Sequence, residues 1–436
     1  MLTPRTLLFA TAVFSGMLTG WTQSTPDYEN PPIAYSASTP VDAVTRLQTQ
    51  IGLGALQFEG SEQRVLQTVL DALHVPVESQ LLVFSKTSLQ RGLIRPERPR
   101  ALYFSDSVYV GWVPGGLIEV IAIDPRLGPV FYSVETRQAK TAAPTVVREP
   151  DCLRCHGGTF VRDIPGVFSR SVFASASGEP LLRHGTVLVD DETPFAERWG
   201  GWYVTGYHGS EPHRGNTLYA ETDDRLVFTP VEQRPDDLRA FFDVERYLAP
   251  ISDVVALLVF EHQTTMQNAL TRAGLATRKM LAYQRSLQEA FKETITDEPT
   301  YDSVKSVFAS SAQEVVDRLL FRDAAPLPQG VDGNEAFRRH FSALSKRSPT
   351  GVSLRDFQLQ DRLFALRCSY LIYSESFSAL PEQLKVLVFA KLAAALHGKE
   401  GAARYGYLEA EERRRIYDVL FETHPDAAKY WVANSR

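Results

Sequence analysis

Hydrophobic and polar positions near the start of the chain follow a helical period. Residues 41–56 and 62–73 both place apolar side chains three and four positions apart. In the second segment these side chains form one apolar stripe, which consists of Val65, Leu66, Val69, Leu70 and Leu73. We therefore predict two amphipathic helices, each with one face directed toward a core.

The period then changes to that of strands. Short segments rich in Val, Ile, Tyr and Phe are separated by turn-forming Ser, Asp, Pro and Gly, and they cover residues 101–104, 107–112, 116–123 and 129–135. Because the turns are too short to contain crossover helices, the pattern predicts an antiparallel meander. Later strands are predicted at residues 169–174, 182–190 and 200–205.

From about residue 243 the pattern becomes helical again. Ser252 and Asp253 can cap a long helix. Further helices are predicted at residues 312–321, 335–345, 355–369, 382–397 and 410–422, with a loop at 322–334. The expected fold class is therefore α+β, with an antiparallel β-rich domain followed by an α-helical domain.

The N-terminal residues predict an export signal. Arg5 precedes an apolar run over residues 7–20, which is too short to span a bilayer comfortably and fits a signal peptide, with an uncleaved anchor as the alternative. We divide the chain into a signal peptide (1–24), a tether rich in Pro, Ser and Tyr (25–40), an α+β domain (41–245) and a helical domain (246–436). We expect no transmembrane segment beyond an N-terminal signal anchor.

Composition and charge limit the kinds of partner that the protein is expected to bind. The chain has 436 residues, of which 44% are hydrophobic and 22% charged, which is ample for two or three packed domains. The net charge of −6 is mildly acidic and no basic block is present, so nucleic acid is not an expected partner.

The sequence Cys152-Leu153-Arg154-Cys155-His156 has the spacing of a haem c attachment motif. The two thiols can bond to the two vinyl groups of a porphyrin, and the imidazole that follows can supply the proximal iron ligand. A zinc site would need about two more ligands close by, and a thioredoxin-like pair would open a helix after a buried strand. Neither context is present in the sequence, so we predict one covalently bound haem c.

Haem c is attached outside the cytoplasm in bacteria, so the motif and the export signal predict the same location. We expect a periplasmic or otherwise exported protein. The third cysteine, Cys368, lies in an apolar segment and is predicted to be a small buried hydrophobic residue.

The nature of the sixth iron ligand decides the class of function. His213 is the first candidate and His208 the next, because both lie in a segment dense in Gly and aromatic residues that can approach a flat cofactor. His262 is the third, on an apolar helix face with Met266. The alternatives are surface histidines in a Gly-rich loop, a hydrogen-bonded core histidine at 262, and an open sixth position.

The other polar candidates have more ordinary expectations. His184, His340, His397 and His424 are expected at the surface, and the acidic run at residues 190–192 at a loop tip. Candidate partners of the haem propionates are Arg154, Arg162, Arg170 and Arg198, each with an ordinary surface ion pair as the alternative.

Several blocks of sequence carry a resemblance. The Cys-x-x-Cys-His motif, the Trp-Gly-Gly-Trp-Tyr-Val-Thr-Gly block at residues 199–206 and the His-Arg-Gly-Asn block at 213–216 resemble a group of exported bacterial monohaem c-type cytochrome proteins. The resemblance implies haem c, export and a shared architecture, but no particular activity. Over residues 80–190 the order of a meander, the motif and a short strand is also similar to haem-c-bearing PAS-like sensor domains, which implies a PAS-like sheet.

The expected function is one-electron transfer, with a distal histidine completing the iron site and a redox partner protein that the sequence does not identify. The first alternative is a five-coordinate haem that senses a diatomic gas or acts as a peroxidase-like oxidoreductase. A dihaem peroxidase is disfavoured because the chain contains one motif. The second alternative is a haem-bearing structural subunit of a periplasmic redox complex.

Overall fold

The computed structural model describes residues 25–56, 58–135, 144–230, 235–397 and 404–433, so the predicted signal peptide lies outside the described residues. The two N-terminal helices are confirmed as α1 (Ala43–Gly52) and α2 (Glu62–Ala72). Both begin at side-chain caps, since Asp42 accepts a hydrogen bond from the Thr45 amide and Ser61 accepts one from the Arg64 amide.

The four predicted strands of the meander are confirmed. They form the middle of a six-stranded antiparallel sheet in which each strand pairs with the next in chain order, and we did not predict its first and last strands. Its strands are β1 (Leu81–Val83), β2 (Arg100–Phe104), β3 (Val108–Trp112), β4 (Ile118–Asp124), β5 (Gly128–Glu135) and β6 (Thr145–Arg148). The short turns that the sequence contains favour this simple order.

The two faces of the sheet belong to different layers. Val110, Val120 and Tyr132 share a hydrophobic core with α1 and α2. On the opposite face, the Tyr109 ring lies 5.7 Å from that of Phe260 in the C-terminal half, and the Phe131 ring lies 5.1 Å from that of His156. The sheet is therefore a middle layer, and the Cys-x-x-Cys-His motif lies on the face opposite the N-terminal helices.

Residues 27–40, which we expected to form part of a tether, pack against the sheet instead. The side chains of Tyr28, Ile33 and Tyr35 are buried. The Tyr35 hydroxyl donates to the Pro129 carbonyl at 2.6 Å, and the Arg148 guanidinium donates to the Tyr35 carbonyl at 2.8 Å. The Pro and Ser content of this segment suggested a linker, but its aromatic residues stabilise a packed strap.

Two small hairpins follow the motif. They are β7 (Ser169–Val172) with β8 (Thr186–Val189), and β9 (Thr217–Thr222) with β10 (Arg225–Pro230). The prediction of a strand at 200–205 is wrong, because Trp199 and Gly201 adopt positive φ angles of 63° and 84° that break an extended segment. We did not predict β9 and β10, although the Asp223-Asp224 turn between them was a usable signal.

The C-terminal half is helical, as expected. Its helices are α4 (Val254–Phe291), α5 (Asp302–Leu319), α6 (Glu335–Ala343), α7 (Glu375–Ser378), α8 (Glu382–His397), α9 (Ala410–Thr423) and α10 (Pro425–Ala433), and the motif itself contains the short helix α3 (Leu153–His156). Asp253 caps α4 by accepting from the Ala256 amide at 2.8 Å. The predicted helix at 355–369 is wrong, since this segment forms turns and Leu359 has a φ of 63°. Cys368 is fully buried, as predicted.

Helix α4 joins the two halves of the molecule. One continuous hydrophobic core contains side chains of the sheet, such as Val83 and Phe104, together with those of the C-terminal helices. The α+β class is confirmed, whereas the PAS-like character of the sheet and the domain division at residue 245 stay predictions. Within the described ranges, every helix is too short or too polar to cross a membrane.

Candidate haem-attachment site

The attachment motif forms a single helical turn. A 3₁₀ turn at Pro150–Cys152 leads directly into α3, which ends at His156. Residues three positions apart lie on the same side of a helical turn, so the two motif cysteines face similar directions. Cys152 is partly buried, Cys155 is exposed, and neither forms a disulfide.

The side chain of His156 is held between two aromatic rings. The Phe168 ring stacks on it with centroids 4.7 Å apart, and the Phe131 ring lies 5.1 Å away. Its Nδ1–H donates to the Gly166 carbonyl at 2.9 Å, so Nε2 is the nitrogen that keeps a lone pair. Burial lowers the pKa of His156 to about 4, and the ring is therefore neutral near pH 7. A neutral imidazole oriented through Nδ1 is the usual form of a metal-binding histidine.

The environment of Cys152 favours a thiol over a thiolate. Burial raises the pKa of Cys152 to about 12, and the nearby carboxylates of Glu119 and Glu149 add to this effect. Because thiolates are the form that binds zinc, this environment is unfavourable for a zinc ligand. Among the described residues, no group of three or more His, Cys, Asp or Glu side chains is placed to hold a metal ion.

A cavity of about 160 Å³ is lined in part by Phe168, the ring that stacks on His156. Its apolar wall includes Phe160, Phe168 and Leu188, and its polar wall includes Arg162 and Arg272. Arg162 pairs with Glu314 at 3.3 Å and remains two-thirds exposed. Of the four arginines considered for the propionates, Arg162 is the one that lines this cavity.

The other three arginines lie elsewhere or have other partners. Arg154 is exposed and pairs with Asp151 at 3.2 Å. The Arg170 guanidinium lies over the Phe160 ring, 5.1 Å from its centroid. Arg198 is buried and its Nη1 donates to Glu261 at 2.6 Å, so a propionate role for it would require breaking that pair.

This set of residues fits a covalently attached haem. Cys152 and Cys155 supply two unbonded thiols one turn apart, His156 supplies an oriented neutral imidazole, and Phe131 and Phe168 supply apolar walls.

His208 and His213 form a buried pair, so the alternative of surface histidines in this loop is excluded. Their Nε2 atoms are 3.1 Å apart, and His213 Nδ1 accepts from the Gly215 amide at 2.9 Å. His213 Nδ1 therefore carries no proton, and its Nε2–H donates to His208 Nε2. The rings of Phe195 and Trp199 pack against this pair. The ring contacts of His156 are instead with Phe131 and Phe168, so neither His208 nor His213 is among them.

His262 is a hydrogen-bonded core histidine, which was the alternative to a ligand role. It is completely buried, its Nδ1 lies 3.0 Å from an Asp191 carboxylate oxygen, and its Nε2 lies 2.7 Å from the Ser369 hydroxyl. These residue types also occur in hydrolase triads, but Ser369 is completely buried and has no surface for a substrate. Asp191, which we placed at a loop tip, turns inward to pair with His262.

A second buried charge pair lies next to it on α4. Glu261 is completely buried and accepts from Arg198 and from the Trp199 indole Nε1 at 2.8 Å. Burial raises the pKa of Glu261 to about 7, and the attraction of Arg198 opposes this rise. We did not single out Glu261 from the sequence, although a glutamate within the long apolar run of α4 was a signal of a buried partner.

The four histidines that we expected at the surface differ in their burial. His340 and His397 are exposed, as expected. His184 is partly buried, 3.6 Å from Glu221. The prediction for His424 is wrong, because its ring is buried against Tyr373 and its Nε2–H donates to the Ile372 carbonyl at 3.1 Å.

The candidate haem-attachment site rests on the contacts described above, because comparison with known proteins adds no support for it. No family model matches the chain, and no curated protein or solved structure matches it either. The resemblance to exported monohaem c-type cytochromes and to PAS-like sensor domains therefore stays a prediction.

Proposed function

We propose that this protein is an exported monohaem c-type cytochrome that transfers single electrons to and from a redox partner protein. Cys152 and Cys155 attach the haem, and His156 binds the iron through Nε2. The observation that carries the proposal is the hydrogen bond from His156 Nδ1 to the Gly166 carbonyl, which leaves a neutral, oriented Nε2 directly after the two thiols. When bound, the haem supplies the one-electron chemistry.

The surroundings of His156 support the same role. The contacts with Phe131 and Phe168 leave the ring partly buried, and solvent access is one of the means by which proteins set a haem potential. The bond to a backbone carbonyl fixes the tautomer and increases the basicity of the ligating nitrogen. Both effects suit an iron that changes charge without a change of ligand.

A second candidate is a five-coordinate haem that binds a diatomic gas or peroxide. It is favoured by the hydrogen bonds of the distal candidates, because both ring nitrogens of His213 and both of His262 are already engaged. His208 uses its Nε2 in the bond to His213. Recruiting one of them would break a buried hydrogen bond, at a cost of about 1–3 kcal/mol.

Haem staining on a denaturing gel tests the covalent attachment. The exported protein, produced with the bacterial cytochrome c maturation apparatus, is expected to stain, and Cys152→Ala combined with Cys155→Ala is expected to abolish the stain. Cys368→Ala is the matched control, because this thiol is buried outside the motif. Stain that persists in the double variant would exclude the proposed attachment.

An absorption spectrum of the ferrous protein with and without carbon monoxide separates the two candidates. An unchanged spectrum indicates a closed, six-coordinate iron and supports the electron carrier. Single substitutions His213→Ala, His208→Ala and His262→Ala would then identify the ligand, because the correct one gives a high-spin spectrum. Immediate carbon monoxide binding by the unmodified protein would support the gas- or peroxide-binding candidate instead.

A further inference from the structure

We infer that Asn268, in the first half of α4, is a positioning residue for the proximal ligand His156. It acts through one peptide unit, which consists of the Gly166 carbonyl and the Val167 amide. The inference rests on the proposed function, since it assigns a role toward the haem iron. A side chain from the helical half of the molecule would then contribute to the haem site.

The contacts form a continuous chain from α4 to the imidazole. Asn268 Oδ1 accepts from the Val167 N–H at 2.9 Å, and Asn268 Nδ2 donates to the Val167 carbonyl at 2.6 Å. The carbonyl at the other end of that Gly166–Val167 peptide accepts from His156 Nδ1–H at 2.9 Å. The Gly166 N–H in turn donates to the His156 carbonyl at 2.8 Å.

Hydrogen bonds at the two ends of one peptide unit strengthen each other. A peptide whose N–H donates to an amide oxygen carries more negative charge on its carbonyl oxygen, which therefore accepts a stronger bond from the imidazole. A stronger bond at Nδ1 gives the ring more anionic character at Nε2. That character stabilises ferric relative to ferrous iron and lowers the reduction potential.

Packing around Gly166 keeps this peptide against Asn268. A Cβ atom at position 166 would lie 2.7 Å from Val161 Cγ1 and 2.9 Å from Asn268 Oδ1, closer than ordinary contacts allow. The position therefore needs glycine for close approach, not for an unusual φ angle. The orientation of the His156 ring is thus set from α4 as well as from the attachment turn.

Substitutions of Asn268 in the haem-loaded protein test the inference. Asn268→Ala removes both bonds to Val167 and is expected to raise the midpoint potential and to lower the iron–histidine stretching frequency. The expected change in the ferric-to-ferrous ratio at a fixed potential is about tenfold, which equals the lower end of the effect that outer-shell partners have on metal affinity or activity. Asn268→Asp keeps the acceptor for the Val167 N–H and is expected to keep the frequency at or above that of the unmodified protein.

Asn216 provides a matched control. Its side chain makes the same pair of bonds to a single residue, accepting from the Val204 amide and donating to the Val204 carbonyl, both at 2.8 Å. Asn216→Ala should destabilise the fold to a similar extent but leave the potential and the stretching frequency unchanged. This separates a specific effect on His156 from a general loss of stability.

The outcomes distinguish this inference from the proposed function. A shift in Asn268→Ala that Asn216→Ala lacks supports the positioning role. An unchanged potential in haem-loaded Asn268→Ala, or equal shifts in both alanine variants, overturns the inference and leaves the cytochrome proposal standing. If Asn268→Ala does not fold, a lowered frequency in Asn268→Asp overturns it. An unmodified protein without covalent haem would refute the proposed function itself.

Discussion

The two glycines that follow His156 differ in how much space surrounds them. A Cβ atom at Gly157 would overlap the Tyr28 hydroxyl and lie 2.9 Å from the Leu153 carbonyl, whereas the nearest atom to one at Gly158 is 3.9 Å away. The Tyr28 hydroxyl belongs to the N-terminal strap and lies 3.5 Å from the Gly157 carbonyl oxygen. The strap therefore covers the end of the attachment turn.

We predict that Gly157→Ala destabilises the protein by about 1–3 kcal/mol, the usual cost of forcing a methyl group into a packed site. Gly158→Ala is the neighbouring control and should change the free energy of unfolding by less than about 0.5 kcal/mol. Urea denaturation of both variants measures the difference. Equal stabilities would mean that the strap does not pack on Gly157.

The neutral state of His156 predicts that the free energy of unfolding depends on pH in protein that lacks haem, such as the Cys152→Ala and Cys155→Ala double variant. The pKa of His156 is about 4 in the folded chain and 6.5 in an ordinary exposed histidine, so the unfolded chain binds the additional proton between these values. The contribution of His156 to stability is therefore complete above pH 6.5 and decreases as the pH falls toward 4. Urea denaturation at a series of pH values between about 4 and 6.5 should show this decrease in the free energy of unfolding.

The same double variant with His156→Gln is the reference for that measurement, because all other titrating groups are shared. The free energy of unfolding of the protein with His156 should fall relative to that of the His156→Gln variant as the pH falls from about 6.5 to about 4. Parallel curves would show that the folded environment does not favour the neutral ring.

At the scale of elements, the loop that precedes Trp199 is joined to α4 by buried charge. Arg198 and Glu261 come from segments far apart in the chain, and both side chains are almost fully removed from water. Asp191 and His262 make a parallel connection between the preceding loop and the same helix. These two pairs fix the loop before Trp199 to α4 and so help to place the block at residues 199–206 against this helix.

We predict that Arg198→Leu destabilises the protein by about 3–5 kcal/mol, because it leaves the Glu261 carboxylate buried without its cation. Arg162→Leu removes an arginine from an exposed pair with Glu314 and should cost less than about 1 kcal/mol. Thermal unfolding and urea denaturation measure both. A similar loss in the two variants would contradict the assigned difference between buried and exposed pairs.

At the scale of the whole molecule, the sheet and the C-terminal helices depend on each other. The Phe104 and Tyr109 rings of the sheet lie 5.5 and 5.7 Å from the Phe260 ring of α4. Helix α5 and the later helices continue the same hydrophobic core. Removal of the helical half would expose one apolar face of the sheet to water.

We therefore predict that a fragment of residues 25–250 does not unfold cooperatively and aggregates, whereas the longer chain of residues 25–436 unfolds in a sharp transition. Circular dichroism during heating measures both. The physical reason is the exposed apolar area, for which the fragment has no substitute. A sharp transition in the fragment would instead support an independent domain that ends near residue 245.

Local elements were the most predictable part of the fold. The strands of the meander and helices such as α2 and α8 were predictable because period and turn chemistry are local properties. The segments at 200–205 and 355–369 failed for a shared reason. Their apolar spacing suggested regular structure, but positive φ angles at Gly201 and Leu359 are set by surrounding contacts that the local pattern does not contain.

The sequence by itself determined the α+β class, the order of the four central strands of the sheet and the presence of the Cys152, Cys155 and His156 motif, since each depends on neighbours in the chain. Only the tertiary structure decided the partners of the distal histidine candidates, because their contacts join residues far apart. The Asp191–His262 contact spans 71 positions, the His262–Ser369 contact 107 and the Asn268–Val167 contact 101. Such pairings arise when separate elements pack, and burial then selects the hydrogen bonds that keep their polar groups satisfied.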